Sequence, residues 1–107
     1  MTHSHYTYRV SWSPEDHEFV GSVVELPSLS WLDPDETRAF AGIRKLTAEV
    51  VADMESQGET PPDALADRPF SGKFQVRLTP DRHRQLAIEA AERGVSMNRL
   101  ISDRLAT

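Results

Sequence analysis

The sequence predicts an α+β protein in two parts. The first is a small antiparallel sheet with one covering helix; the second is a strand–helix–helix tail that completes its fold as an intertwined dimer. Three observations predict this. Apolar residues alternate with period two near the start, one long stripe at helical spacing follows, and the two halves of the chain carry opposite charge. Residues 1–69 hold 5 Lys or Arg against 13 Asp or Glu, net −8, while residues 70–107 hold 7 against 4, net +3. The whole chain of 107 residues is therefore −5, with 38 % hydrophobic and 27 % charged residues, a globular rather than a disordered composition.

Tyr6 to Trp12 places Tyr6, Tyr8, Val10 and Trp12 on one side and Thr7, Arg9 and Ser11 on the other, the pattern of a half-buried strand. Ser13 to His17 reads as a turn. Glu18 to Leu26 reads as a second strand hairpinned to the first, with Gly21 marking a bulge or a close backbone approach and Pro27 stopping it. Ser28 to Leu32 reads as a short third strand. Asp33-Pro34-Asp35-Glu36 starts a helix, with Asp33 as cap, Pro34 in the first turn and Glu36 closing a capping-box-like pair. Its apolar stripe is Phe40, Ile43, Leu46 or Thr47, Val50 and Met54, and Gly58 supplies the left-handed stop. About 24 residues make roughly 36 Å of helix, enough to cover three strands. Gly58 to Gly72 carries three of the seven prolines and reads as a semi-rigid linker, with Ala64-Leu65 able to pack back on the first module.

In the tail, Lys73, Gln75 and Arg77 share one face of a predicted strand and Phe74, Val76 and Leu78 the other. Thr79-Pro80-Asp81 starts a helix with His83, Leu86, Ala87 and Ala90 at i, i+3, i+4 and i+7, and Gly94 caps it with Val95 as the apolar contact. Ser96 caps a last helix with Met97, Leu100, Ile101 and Leu105 on its apolar face. A lone six-residue strand has no ladder for its backbone groups, and two short helices cannot bury their apolar faces alone. Two chains pairing their strands around a two-fold axis solve both problems, with Phe74, Val76, Leu78, Leu86, Ala90, Leu100 and Ile101 as the dimer core. Lys73, Gln75 and Arg77 then face outward on a two-stranded ribbon of the size that enters a major groove, where Arg and Lys reach guanine and Gln reaches adenine. The helix start Ser96-Met97-Asn98 offers backbone N–H groups to a phosphate.

The stretch FQVRLTPDRHRQLAIEAAERGVSMNRLISDRLA resembles the ribbon-helix-helix family, the Arc and MetJ type of repressor, over residues 72–106. The resemblance implies that Lys73, Gln75 and Arg77 read bases and that the Ser96–Asn98 helix start clamps a phosphate. The first module resembles the HicB antitoxins of bacterial toxin–antitoxin pairs in Tyr8-x-Val10, Asp16 in the turn, FVGSVVELPSL, Pro34-Asp35-Glu36 and GETPP. That resemblance implies a partial ribonuclease-H-like sheet without catalysis that masks HicA, a small basic ribonuclease. An acidic module facing a basic toxin is electrostatically complementary. Where the family has Pro-Gly-Cys, this chain has Pro27-Ser28-Leu29, and the following glycine is missing. Glu25, Leu29 and Trp31 are the candidate toxin contacts, although a tryptophan in the place of Trp31 is more often core.

Other chemistry finds little support in the sequence. The absence of cysteine excludes disulfides, thiolate metal sites and cysteine nucleophiles. Asp16, Glu18, Glu25, Asp33 and Asp35 would serve a metal-dependent nuclease only by converging, and Glu18 and Glu25 fall on opposite strand faces. His3 and His5 lie in a loose terminus without a third ligand, and there is no Gly-x-Ser-x-Gly elbow or phosphate loop. With no apolar run longer than three residues, neither a membrane span nor a signal-peptide core is expected, and the cytoplasm is the default location. The expectation is thus a non-enzymatic, cofactor-free and metal-free antitoxin. It comprises a toxin-binding domain (1–57), a linker (58–72) and a DNA-binding and dimerisation domain (73–107). Its expected partners are operator DNA, a HicA-like toxin and a second copy, extending to a tetramer. The alternative is a stand-alone ribbon-helix-helix regulator whose first module senses a ligand or oligomerises.

Overall fold

The computed structural model describes residues 2–106, and the chain divides into two units, 1–70 and 71–107. In the first unit a 3₁₀ turn, Thr2–His5, leads into β1 (Tyr8–Ser13), β2 (Glu18–Val23) and β3 (Ser30–Asp33), followed by α1 (Glu36–Ser56). The sheet is antiparallel in the order β1-β2-β3. Tyr8 stands opposite Val23, Val10 opposite Gly21 and Trp12 opposite Phe19, and Gly21 in turn faces Trp31. This register gathers the alternating residues of β1 on the face that α1 covers.

The hairpin expected from the alternation is present, and its four-residue turn places His17 at φ 52°, in the left-handed region. The second strand is shorter than its sequence pattern: β2 ends at Val23, not Leu26. Leu26 N–H bonds to Val23 O and Leu29 N–H to Leu26 O, so residues 24–29 turn before Pro27 is reached as a stop. The third strand begins at Ser30 rather than Ser28.

The helix cap is Asp35, not Asp33. Asp35 Oδ1 accepts from Arg38 N at 2.9 Å, while Asp33 Oδ1 accepts from Asp35 N at 2.8 Å one step earlier. Two acids in succession thus wind the chain into α1, and Pro34 lies before the helix. At the other end Gly58, at φ 79°, donates to Glu55 O and Glu59 N–H reaches Met54 O, the paired bonds of a Schellman stop. The buried stripe of α1 is Ala39, Gly42, Ile43, Thr47 and Val51, with Phe40 43 % exposed. Of the expected stripe, Ile43 and Thr47 are buried, Leu46, Val50 and Met54 are half-buried, and Phe40 is exposed. Ala39 and Gly42 are buried beside them at the close approach of helix and sheet, where a methyl group on Gly21 would fall 2.7 Å from Ala39 O.

Tyr6, Val23, Ile43, Val51 and Ala64 form the core, with Tyr8, Leu26, Leu29 and Leu46 packed against it. Thr47 is wholly buried with its hydroxyl beside that of Tyr8, which donates to His3 O at 2.7 Å. The segment after α1 packs onto this unit: Ala64 is fully buried, the Tyr6 hydroxyl donates to Pro62 O at 2.6 Å, and Leu65–Asp67 form a second 3₁₀ turn.

The second unit contains α2 (Pro80–Arg93) and α3 (Met97–Leu105). Both starts are as the sequence predicts. Thr79 Oγ1 accepts from Arg82 N at 3.2 Å, and Ser96 Oγ accepts from Arg99 N at 3.0 Å. Gly94, at φ 68°, donates to Ala91 O while Val95 N–H reaches Ala90 O, a second Schellman stop. Leu86, Ala90 and Leu100 are buried between the two helices, with Met97 and Ile101 against them. Glu89 pairs with Arg93 at 3.1 Å and with Arg104, tying α2 to α3. Among the described residues the predicted strand over residues 73–78 pairs with no other strand, and Lys73 N–H donates to Ser71 Oγ at 3.1 Å.

Candidate functional site

Two surfaces emerge, one on each unit. On the tail, residues 71–85 are all exposed. Phe74 is 74 % exposed, Val76 64 % and Leu78 48 %. Three large apolar side chains at alternating positions thus lie uncovered beside a helix pair that buries only Leu86, Ala90 and Leu100. Exposed singly, such residues need no explanation; arranged as one face of a six-residue alternation, they form a patch that water penalises by about 25 cal/mol per Å². Lys73, Gln75 and Arg77 occupy the intervening positions and are exposed as well. Ser96 and Asn98 are exposed at the start of α3, and Met97 is partly buried against the helix pair. His83 is exposed rather than enclosed by the helices of its own chain.

On the first unit, the candidates Glu25, Leu29 and Trp31 are engaged within the fold. The Glu25 carboxylate accepts from Thr7 N at 2.8 Å, Thr7 Oγ1 at 3.2 Å and Leu65 N at 3.0 Å, so it ties the start of β1 to the 3₁₀ turn at Leu65. Burial pushes this carboxyl up, but the N–H groups of Thr7, Leu65 and Glu25 itself, with the Thr7 hydroxyl, outweigh burial and hold it below the ordinary glutamate value. Burial first, and then the charge of Glu25, pushes the Tyr6 hydroxyl up. Leu29 packs against the core. The Trp31 indole lies over Gly42, where an added methyl would fall 2.1 Å from Nε1, and the side chain remains 39 % exposed. Trp31 is thus part of the sheet–helix contact.

Two arrangements are completed only by the fold. The Arg44 guanidinium sits 4.9 Å from the Tyr8 ring and 5.5 Å from the Phe40 ring, a positioned cation over two aromatic faces. Trp12, 51 % exposed, meets Phe19 edge-on at 5.1 Å. The helical spacing of Phe40 and Arg44 was readable; that Tyr8 joins them follows only from the register of the sheet.

The carboxylates expected to stay apart have separate tasks. Asp16 Oδ2 accepts from Ser13 Oγ at 2.9 Å, Asp33 accepts from Asp35 N ahead of the helix, Asp35 caps it, and Glu25 clamps. His5 Nδ1 lies 2.8 Å from Asp67 Oδ2. Among the described residues no three His, Asp or Glu side chains gather as a metal site, and no helix is long and apolar enough to cross a membrane.

No curated protein and no solved structure matches the chain significantly. A family model does: that of the HicB family, over residues 55–105, which spans the end of α1, the segment packed on the first unit, and both tail helices. Residues 55–105 of the chain are thus similar to the HicB family.

Proposed function

We propose that the chain is a non-catalytic antitoxin whose acidic first unit holds a toxin ribonuclease and whose tail dimerises to bind an operator. The observation that carries this reading is the alternating segment 73–78, apolar on one side and Lys73, Gln75 and Arg77 on the other, exposed throughout and unpaired in its own chain. A second copy of the same strand supplies the missing ladder, and the helices of both chains cover Phe74, Val76 and Leu78. Pairing leaves the three long donor side chains on the outer face of a ribbon that matches a major groove, with the N–H groups at Ser96–Asn98 placed for phosphate. The net +3 of residues 70–107 favours a polyanion, and the −8 of residues 1–69 favours a basic protein.

The test is selection of duplexes from a random pool by the full chain. The expected product is an inverted repeat, since a two-fold protein reads a two-fold site. Arg77→Ala should cost about 1–3 kcal/mol of affinity and relax the preference at one position in each half-site, leaving toxin capture unchanged. Enrichment of no sequence, or an Arg77→Ala variant with the wild-type preference, overturns the ribbon. Purification of the nuclease-treated chain without a stoichiometric small basic protein would leave the stand-alone regulator as the function.

A further inference from the structure

The sheet of the first unit has a free edge at β1. Its geometry is fixed by two bonds at its start: Val24 N–H donates to Thr7 O at 2.9 Å, and Thr7 N–H donates to Glu25 Oε1. Both backbone groups of Thr7 therefore face β2. Alternation along an antiparallel pair then turns the N–H and C=O groups of Tyr8, Val10 and Trp12 away from β2, toward the open side. The devices that usually blunt such an edge are missing. β1 runs six residues in unbroken register, contains no proline, and carries a single charge, Arg9. The opposite edge, β3, has only four residues and is followed at once by Pro34.

The side chains beside the free edge are apolar on the helix face: Val10 is half-buried, Trp12 is 51 % exposed and Phe40 is 43 % exposed. Charge is unevenly spread along the strand. Arg9 and Arg44 belong to the Tyr8 end, where the Glu25 carboxylate is taken up by Thr7 and Leu65, whereas Glu15, Asp16 and Glu18 belong to the Ser13 end. An antiparallel partner with this same sequence brings each end against its opposite.

We infer that two copies of this chain join β1 to β1 across a two-fold axis centred on Val10, continuing the sheet from three strands to six. This is the register that employs all three outward positions: Val10 faces its own copy, and Tyr8 faces Trp12 of the second copy twice. The indole then meets the Tyr8 ring on which Arg44 is stacked, an aromatic cross-strand pair on the helix face. On the outer face Arg9 stands opposite Ser11, so no like charges oppose one another. The inference does not depend on the pairing of the tail strands.

The chain has no cysteine, so a single introduced thiol reports the contact. A hydrogen-bonded antiparallel pair holds its Cα atoms about 5.5 Å apart, within disulfide range. Val10→Cys should therefore give a symmetric disulfide dimer under mild oxidation, slowed by high salt. Ser22→Cys, on the central strand, should give only background. The same contrast should persist in Val76→Asp, which separates this contact from the tail. On the unaltered chain, the Tyr8, Val10 and Trp12 amides should gain protection from hydrogen exchange as concentration rises. A Val10→Cys yield no greater than that of Ser22→Cys overturns the inference. So do amides that exchange freely at all concentrations, which would mean that the edge is open or awaits a different protein.

Discussion

Glu25 decides more of the first unit than any other single side chain. It lies just past β2, and its three partners are 18 and 40 residues away in sequence. Hydrogen bonds to a charged group contribute about 1.5–3 kcal/mol, and removing the acceptor leaves two part-buried N–H groups unpaired. Glu25→Ala should therefore lower stability by roughly that amount in urea unfolding. The pH dependence has a definite sign. A folded value below the unfolded one makes the contribution complete above the ordinary glutamate value of about 4.3 and loses it as pH falls through the lower folded value. Stability of the wild type should fall with acid in that window, and Glu25→Gln should flatten the slope. The period-two pattern could place Glu25 on a strand face, but its partnership with Leu65 depends on where the segment after α1 returns, which no local rule encodes.

At the level of elements, what the sequence disclosed was local. Thr79, Ser96, Gly58 and Gly94 act within one turn of their own position, and each caps where it was expected. Asp33 and Asp35 are both cap-competent and two residues apart, so choosing between them needs the direction in which β3 delivers the chain. The phase of α1 was legible at Ile43 and Thr47 but not at the edges of the stripe. Hydrophobicity favours Phe40, but Ala39 and Gly42 are the residues at the close approach to the sheet, and Phe40 lies at its margin. The two glycines at this contact should behave differently. At Gly21→Ala the new methyl meets the rigid carbonyl of Ala39, so α1 must shift, costing about 1–3 kcal/mol. At Gly42→Ala it meets the Trp31 indole, which is 39 % exposed and able to swing outward. That variant should lose less stability and show a red-shifted tryptophan emission. Equal losses with unchanged emission would contradict the packing described.

For the molecule as a whole, the tail strand is where sequence and single-chain structure part. Its alternation was legible, and the ladder proposed for it would be a property of an assembly rather than of a single chain. The prediction at this scale is assembly. Val76→Asp should shift the chain toward smaller species in sedimentation and abolish operator binding, while the signals of Trp12 and Trp31 stay those of a folded first unit. Unchanged operator binding by that variant would show that the apolar face of residues 74–78 is not an interface. The opposite charges of the halves add a salt dependence: DNA binding should weaken steeply with ionic strength, and toxin capture should slow with it.

The return of residues 58–67 to the first unit sets where the polypeptide can be divided. A fragment ending at Gln57 would expose Tyr6 and strip Glu25 of its Leu65 donor, whereas one ending at Phe70 keeps Ala64 in place and both bonds intact. Residues 71–79, wholly exposed and outside any helix or ladder, are the point of attack for a protease. Limited trypsin digestion should cleave at Lys73 or Arg77 and release a resistant amino-terminal piece, leaving the Arg68–Pro69 bond intact. In a cell, proteolysis at that stretch would part the acidic half from the basic half in a single step and leave the acidic half folded.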